Sequence, residues 1–107
     1  MSKRKPRNIL AELYDAEFDV LMRLYRGQSN EEIAWDRYCT PQTVRNTLTR
    51  VYSKLECARV IPRKGPHTYK RLLVVLWLAG IAERYREANP MQRGDLTRLI
   101  DREERAA

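Results

Sequence analysis

Arg45, Asn46 and Thr49 are the side chains of this sequence best placed to do chemistry, and that chemistry is recognition. A guanidinium offers a rigid fork of donors, a carboxamide pairs donors with an acceptor, and a hydroxyl does both. On a helix, positions 45, 46 and 49 share one side, because neighbours three and four apart lie together. Such a set suits the edges of base pairs in a major groove, where Arg takes guanine and Asn takes adenine with two hydrogen bonds each. The same side runs from Gln42 to Ser53 and includes Arg50, with no acid and no large apolar residue. Opposite it, Val44, Leu48, Val51 and Leu55 recur at helical spacing and make one apolar stripe.

Catalytic alternatives find little material. The chain has one histidine, His67, and two cysteines, Cys39 and Cys57, in no zinc-like or CxxC spacing. Carboxylates are scattered and no glycine-rich phosphate loop is present, so the expectation is a non-enzyme with no cofactor and no metal. Cys39 and Cys57 read as small core or semi-buried residues, His67 as a surface residue at a helix start, and Trp35 as a packing residue.

The elements that must position the polar side begin with two sharp local signals. Ser29-Asn30-Glu31-Glu32 is a capping box, which predicts a short helix over 30–37 that buries Ile33 and Ala34. Thr40-Pro41 supplies a capping hydroxyl followed by a residue that needs no amide partner, which predicts a helix over 41–55. Upstream, Ile9, Leu10, Leu13, Phe18, Leu21, Leu24 and Tyr25 predict helix over 9–26, capped by Asn8 or Asp15 and formed as one helix or two. Gly27 then fits a helix stop. Downstream, residues 56–67 form a connector, followed by a helix over 68–87 capped by Thr68, and a weaker one over 95–105. Nothing reads as a strand. The fold class expected is all-α, a small helical bundle with a C-terminal extension.

Two tandem capped helices, the second with one polar face, have the form of a helix-turn-helix. At these residues the sequence resembles the LuxR-type, GerE-like family. Glu17-Phe18-Asp19-Val20-Leu21 is similar to that family's first-helix segment. Gly27-Gln28-Ser29-Asn30-Glu31-Glu32-Ile33-Ala34 resembles its signature, and Thr43-Val44-Arg45-Asn46 and Lys54-Leu55 resemble its later blocks. The resemblance covers residues 13–56 and implies a tetra-helical DNA-binding domain that regulates transcription, with a fourth helix that often dimerises. It implies that Arg45, Asn46 and Thr49 read bases and that Thr43, Arg50 and Lys54 contact phosphates. Gln42 at the start of the polar side, and Arg63 and Lys64 in the connector, are candidate further phosphate contacts. This sequence departs from the family in its turn, Arg37-Tyr38-Cys39, where a Leu-Gly-Ile-like triplet is usual, and in its longer connector.

Charge agrees with a polyanion partner. Of the formal net charge of +7, residues 37–71 hold nine Lys/Arg against Glu56 alone, while residues 8–36 are net acidic. Lys3, Arg4, Lys5 and Arg7 make a basic arm over 1–8, which serves either as a solubilising tail or as a DNA-following arm. The organisation expected is that arm, a domain over 9–90 whose helix 68–87 dimerises, and an extension over 91–107. Leu72, Val75, Leu76 and Ala79 are expected to face the core, which leaves Leu73, Trp77 and Ile81 for a dimer interface. The alternative is that the C-terminal helix covers the spare apolar surface through Leu96, Leu99 and Ile100. The longest apolar run, Leu72 to Ala79, is far below the ~20 residues of a membrane span. The reading is therefore a stand-alone effector domain, cytoplasmic, bacterial or phage-encoded and nucleoid-associated. It binds double-stranded DNA as a sequence-specific regulator, in a homodimer. The alternative is a small interaction module for RNA polymerase or another regulator.

Overall fold

The computed structural model describes residues 9–86 and 99–102. Within them the chain is helical, with no strand. Helix α1 spans Ile9–Glu12, α2 Asp15–Tyr25, α3 Asn30–Asp36, α4 Pro41–Cys57 and α5 His67–Arg86. Residues 99–102 form one further helical turn. The basic arm 1–8 and most of the extension 91–107 lie outside the described residues.

The N-terminal helix is divided, as one of the two alternatives had it. The break falls at Leu13 and Tyr14, and Asp15 is the first residue of α2 rather than its cap. Tyr14 precedes the helix, and its amide donates to Glu17 Oε1 at 2.9 Å. The two local caps hold. Ser29 and Glu32 exchange bonds of 2.8 and 3.1 Å, and the Thr43 amide donates to Thr40 Oγ1 at 3.1 Å.

Helices α2, α3 and α4 end alike. In α2 the Gly27 amide donates to Leu24 O and the Gln28 amide to Arg23 O; Tyr38 and Cys39 do the same for α3, and Arg59 and Val60 for α4. This closure needs a left-handed residue just past the helix, the position glycine favours. Gly27 supplies it at φ 93°, but Tyr38 and Arg59 adopt it at φ 56° and 64° despite their side chains. The sharp turn between α3 and α4 therefore forms without the small residue expected there.

One core joins the elements. Phe18, Leu21 and Leu24 of α2, Ile33 and Ala34 of α3, and Val44, Leu48, Val51 and Leu55 of α4 are all buried in it. Tyr52 and Thr47 of α4 are buried as well. Each large apolar side chain so enclosed stabilises the fold by about 1.5–3 kcal/mol before chain entropy is counted. Leu99 is also in the core, and Arg102 donates to the Leu13 carbonyl at 2.7 Å and pairs with Asp15. The C-terminal turn thus docks beside the α1–α2 junction and leaves Leu72 and Leu76 of α5 exposed.

The face that α5 turns inward differs from the expected one. Val74, Leu78, Ile81 and Ala82 are buried, whereas Leu72 and Leu76, expected inside, stand in solvent. Ile81, expected on the dimer face, belongs to the core, and Leu73 and Trp77 pack against its edge. The helix is apolar all round, so hydrophobicity alone leaves its rotation open. Polar anchors fix it. Lys70 reaches Glu56 at 2.5 Å, Arg71 reaches Asn30, and both point to the same side as Val74 and Leu78. Thr68 is exposed within the first turn, and the helix begins one residue earlier than expected, at His67.

Candidate nucleic-acid interface

Helix α4 is presented by its caps and held by its apolar stripe, which leaves Gln42, Thr43, Arg45, Asn46, Thr49 and Arg50 exposed. Asn46 Oδ1 accepts from Gln42 Nε2 at 2.9 Å, and Gln42 Oε1 accepts from an Arg45 Nη at 3.4 Å. Thr49 Oγ1 donates to the Arg45 carbonyl at 3.0 Å, and the Thr40 and Thr43 hydroxyls lie 3.0 Å apart. The α4 residues expected at the interface, apart from Lys54, are therefore brought onto one solvent-facing surface. Arg63 and Lys64 are exposed on a different element, the connector 58–66.

Lys54 has another task. Its Nζ bonds Glu17 Oε1 at 2.7 Å and lies 4.1 Å from the centre of the Tyr14 ring. Glu17 is 2% exposed, and its second oxygen has Arg50 Nε at 3.6 Å. Burial alone would raise the Glu17 carboxyl. The Lys54 hydrogen bond, the Tyr14 amide and the charges of Lys54 and Arg50 outweigh it and hold the carboxyl below its ordinary value. Lys54 therefore mounts α4 on α2, while Arg50, at the edge of the same carboxylate, is 60% exposed.

A second clamp fixes the scaffold helix. Asp19 of α2 bonds Arg23 at 3.0 Å and pairs with Arg37, the residue that closes α3. Arg23 also reaches Asp36 at 3.0 Å, which Gln28 joins at 3.2 Å. Burial pushes the Asp19 carboxyl up, but the hydrogen bonds and charges of Arg23 and Arg37 leave it lowered. Asp15, Glu17, Asp19 and Asp36 of the N-terminal half are thus counter-ions within the bundle.

Two expectations fail at the surface. Trp35, expected to pack, is 83% exposed, and Cys57, expected in or near the core, is exposed. Cys39 packs at the edge of the core as expected, and Tyr38 is 96% exposed. Sequence reasoning also missed Glu17 and Arg71. Glu17 had a signal: it falls on the helical stripe of Leu13, Val20, Leu21 and Leu24, where an acid must be sealed inside and paired.

Among the described residues, no group of His, Cys, Asp and Glu could hold a metal ion, and no helix is long and apolar enough to cross a membrane. Residues 11–60 match the family described as GerE, bacterial regulatory proteins of the luxR family. They form a LuxR-type helix-turn-helix domain. A search of curated proteins and of solved structures finds no match to the chain. The LuxR-type match takes in α2, α3 and α4 and ends at residue 60, before most of the connector and all of α5. Residues 11–60 thus carry a domain of that DNA-binding, transcription-regulating kind, and α5 follows the matched segment.

Proposed function

We propose that this protein is a sequence-specific transcription regulator that inserts α4 into the major groove of duplex DNA. The carrying observation is the exposed set Arg45, Asn46 and Thr49 on a helix whose other side is locked into the core. In this reading those three side chains contact base edges, while Gln42, Thr43, Arg50, Arg63 and Lys64 contact phosphates. A homodimer on inverted half-sites completes the reading. Its interface is the outward stripe of α5, where Tyr69, Leu72 and Leu76 are exposed and Gly80 continues the same side. Two recognition helices would then sit about one DNA turn, roughly 34 Å, apart. A bacterial or phage source, a place in the cytoplasm at the nucleoid and the organisation 1–8, 9–90 and 91–107 belong to the same reading.

One observation favours a second reading, in which the fold docks on RNA polymerase or another regulator. Trp35 stands exposed beside Glu31, Glu32 and Asp36, and exposed tryptophans are common anchors of protein interfaces. Selection of bound fragments from random duplex DNA separates the two. Enrichment of a shared inverted motif supports the regulator. Weak retention without any motif overturns base reading and leaves the docking module.

A further inference from the structure

The start of α5 closes a cleft of about 240 Å³ against α3 and α4. Its lining is Asn30, Arg45, Leu48, Tyr52, His67, Thr68 and Arg71. Two of these are arginines, and among the described residues neither has a carboxylate at ion-pair distance. Arg71 is half-buried, and its guanidinium is held by two neutral oxygens, Asn30 Oδ1 at 3.2 Å and the Gln28 carbonyl at 2.7 Å. A cation taken partly out of water is ordinarily matched by an anion, and three acids of the neighbouring helices are engaged elsewhere: Glu17 by Lys54, Asp36 by Arg23 and Glu56 by Lys70. Among the described residues, the Arg45 guanidinium bonds only Gln42. The His67 ring is set edge-on to Tyr52, with centroids 5.4 Å apart, which keeps the imidazole at the mouth of the cleft.

The location is as informative as the charge. Arg45 belongs both to this cleft and to the exposed side of α4, so the cleft opens beside the surface that would face a groove. Asn30 begins α3, and the first helix of such a pair crosses the DNA backbone. The longer connector makes this possible. It turns back at Gly65, where a φ of 116° and the nearby Tyr69 ring would strain any side chain, and it delivers His67, Thr68 and Arg71 to the middle of α4.

We propose that this cleft seats one backbone phosphate of duplex DNA, bound by Arg71 with Arg45, His67 and the Thr68 hydroxyl around it. The site rests on the DNA-binding reading above and adds to it a contact from α5, outside the matched helix-turn-helix. It also gives Arg45 two neighbours at once, a base edge and the adjoining phosphate, so α5 sets the register of the recognition helix in the groove.

The test is the affinity of the full chain for a short random-sequence duplex, measured across a salt series. Arg71→Gln should weaken binding roughly tenfold, the size of one charge-assisted hydrogen bond. It should also reduce the slope of log affinity against log salt by about 1. Thr68→Glu guards against a loss of folding. It leaves the Arg71 bonds to Asn30 and Gln28 untouched and places a carboxylate in a helix's first turn, where an acid is favourable. It should keep the thermal midpoint and still weaken binding roughly tenfold, because its charge occupies the phosphate's place. Wild-type affinity in Thr68→Glu, with Arg50→Ala still lowering the salt slope, overturns the cleft while DNA binding stands. A wild-type chain that binds no duplex removes both readings. Inorganic phosphate alone that shifts the Thr68 and Tyr69 amide resonances, where duplex does not, assigns the cleft to a free anion and overturns the proposal.

Discussion

Lys54 Nζ lies 2.7 Å from Glu17 Oε1, so a basic residue of α4 is the nearest counter-charge of an acid buried in the core. The relationship makes the charge of α4 partly structural. Part of the acidic N-terminal half is the counter-charge that seats the basic helix: Glu17 takes Lys54 at 2.7 Å and Arg50 at 3.6 Å.

Lys54→Ala should lower stability by roughly 2 kcal/mol. Removing one partner of a fully buried pair costs about 3–5 kcal/mol. Here the Lys54 side chain is 30% exposed and Arg50 stays near the carboxylate, so the loss is smaller. Urea unfolding checks this: the midpoint should fall at unchanged slope. A change within about 0.5 kcal/mol, typical of surface substitutions, would show that the pair does not hold α4 to α2.

Acid should destabilise the fold through Glu17 and Asp19. Both carboxyls are lowered in the folded chain, from ordinary values of 4.5 and 3.8, so the unfolded chain binds more protons in that range. Their contribution is complete above the ordinary values and is lost as pH falls through the lower, folded ones. Unfolding free energy measured from pH 7 down to about pH 2 should therefore decline below the ordinary carboxylate range. The decline should be shallower in Glu17→Gln. An identical decline in that variant would exclude Glu17 as a source.

Base reading and phosphate contact give different signatures on α4. Arg45→Ala and Asn46→Ala should each cost about 1–3 kcal/mol on a selected site and relax preference at one or two base pairs. Arg50→Ala should weaken binding to all sequences alike and lower the salt slope by about 1. Equal losses on selected and random duplexes for Arg45 and Asn46 would take both out of direct readout.

Tyr38→Gly should stabilise the protein by about 0.5–1 kcal/mol. The residue is left-handed at φ 56° and its ring is 96% exposed, so the substitution relieves backbone strain and removes little packing. The greater freedom of glycine in the unfolded chain offsets part of the gain. A thermal midpoint that falls would mean the Tyr38 ring contributes a contact that its exposure hides.

Assembly on α5 is checked by sedimentation at micromolar concentration. Leu76→Glu should turn a dimer into a monomer, because Leu76 is exposed in the protomer. Ile81→Glu should instead unfold the chain, since Ile81 is in the core. A wild-type monomer would exclude the α5 stripe as a dimer interface.

What could be read from the sequence was what is decided locally. The caps at Ser29 and Thr40-Pro41 depend on residues within one turn, and both helices start where those signals stand. The stripe of Val44, Leu48, Val51 and Leu55 is equally local, and it fixed which side of α4 turns outward. The rotation of α5 was not legible, because an all-round apolar helix takes its phase from distant partners, Glu56 for Lys70 and Asn30 for Arg71. Trp35 was misread for a related reason. A short helix such as α3 needs only Ile33 and Ala34 to hold it, so its large aromatic is surplus to the core.

The attachment of α5 has a consequence for dynamics. Lys70 and Arg71 hold its first turns, which stand at the cleft, while Val74, Leu78, Ile81 and Ala82 further along belong to the core shared with α2, α3 and α4. Opening of the first turns of α5 is then a sub-global event of lower free energy than unfolding of the whole chain. Any polyanion that needs Arg71 in place must suppress that opening. Amide hydrogen exchange in the first turns of α5 should slow when duplex is bound, by a factor that grows with ligand concentration, while exchange in α2 is limited by global unfolding.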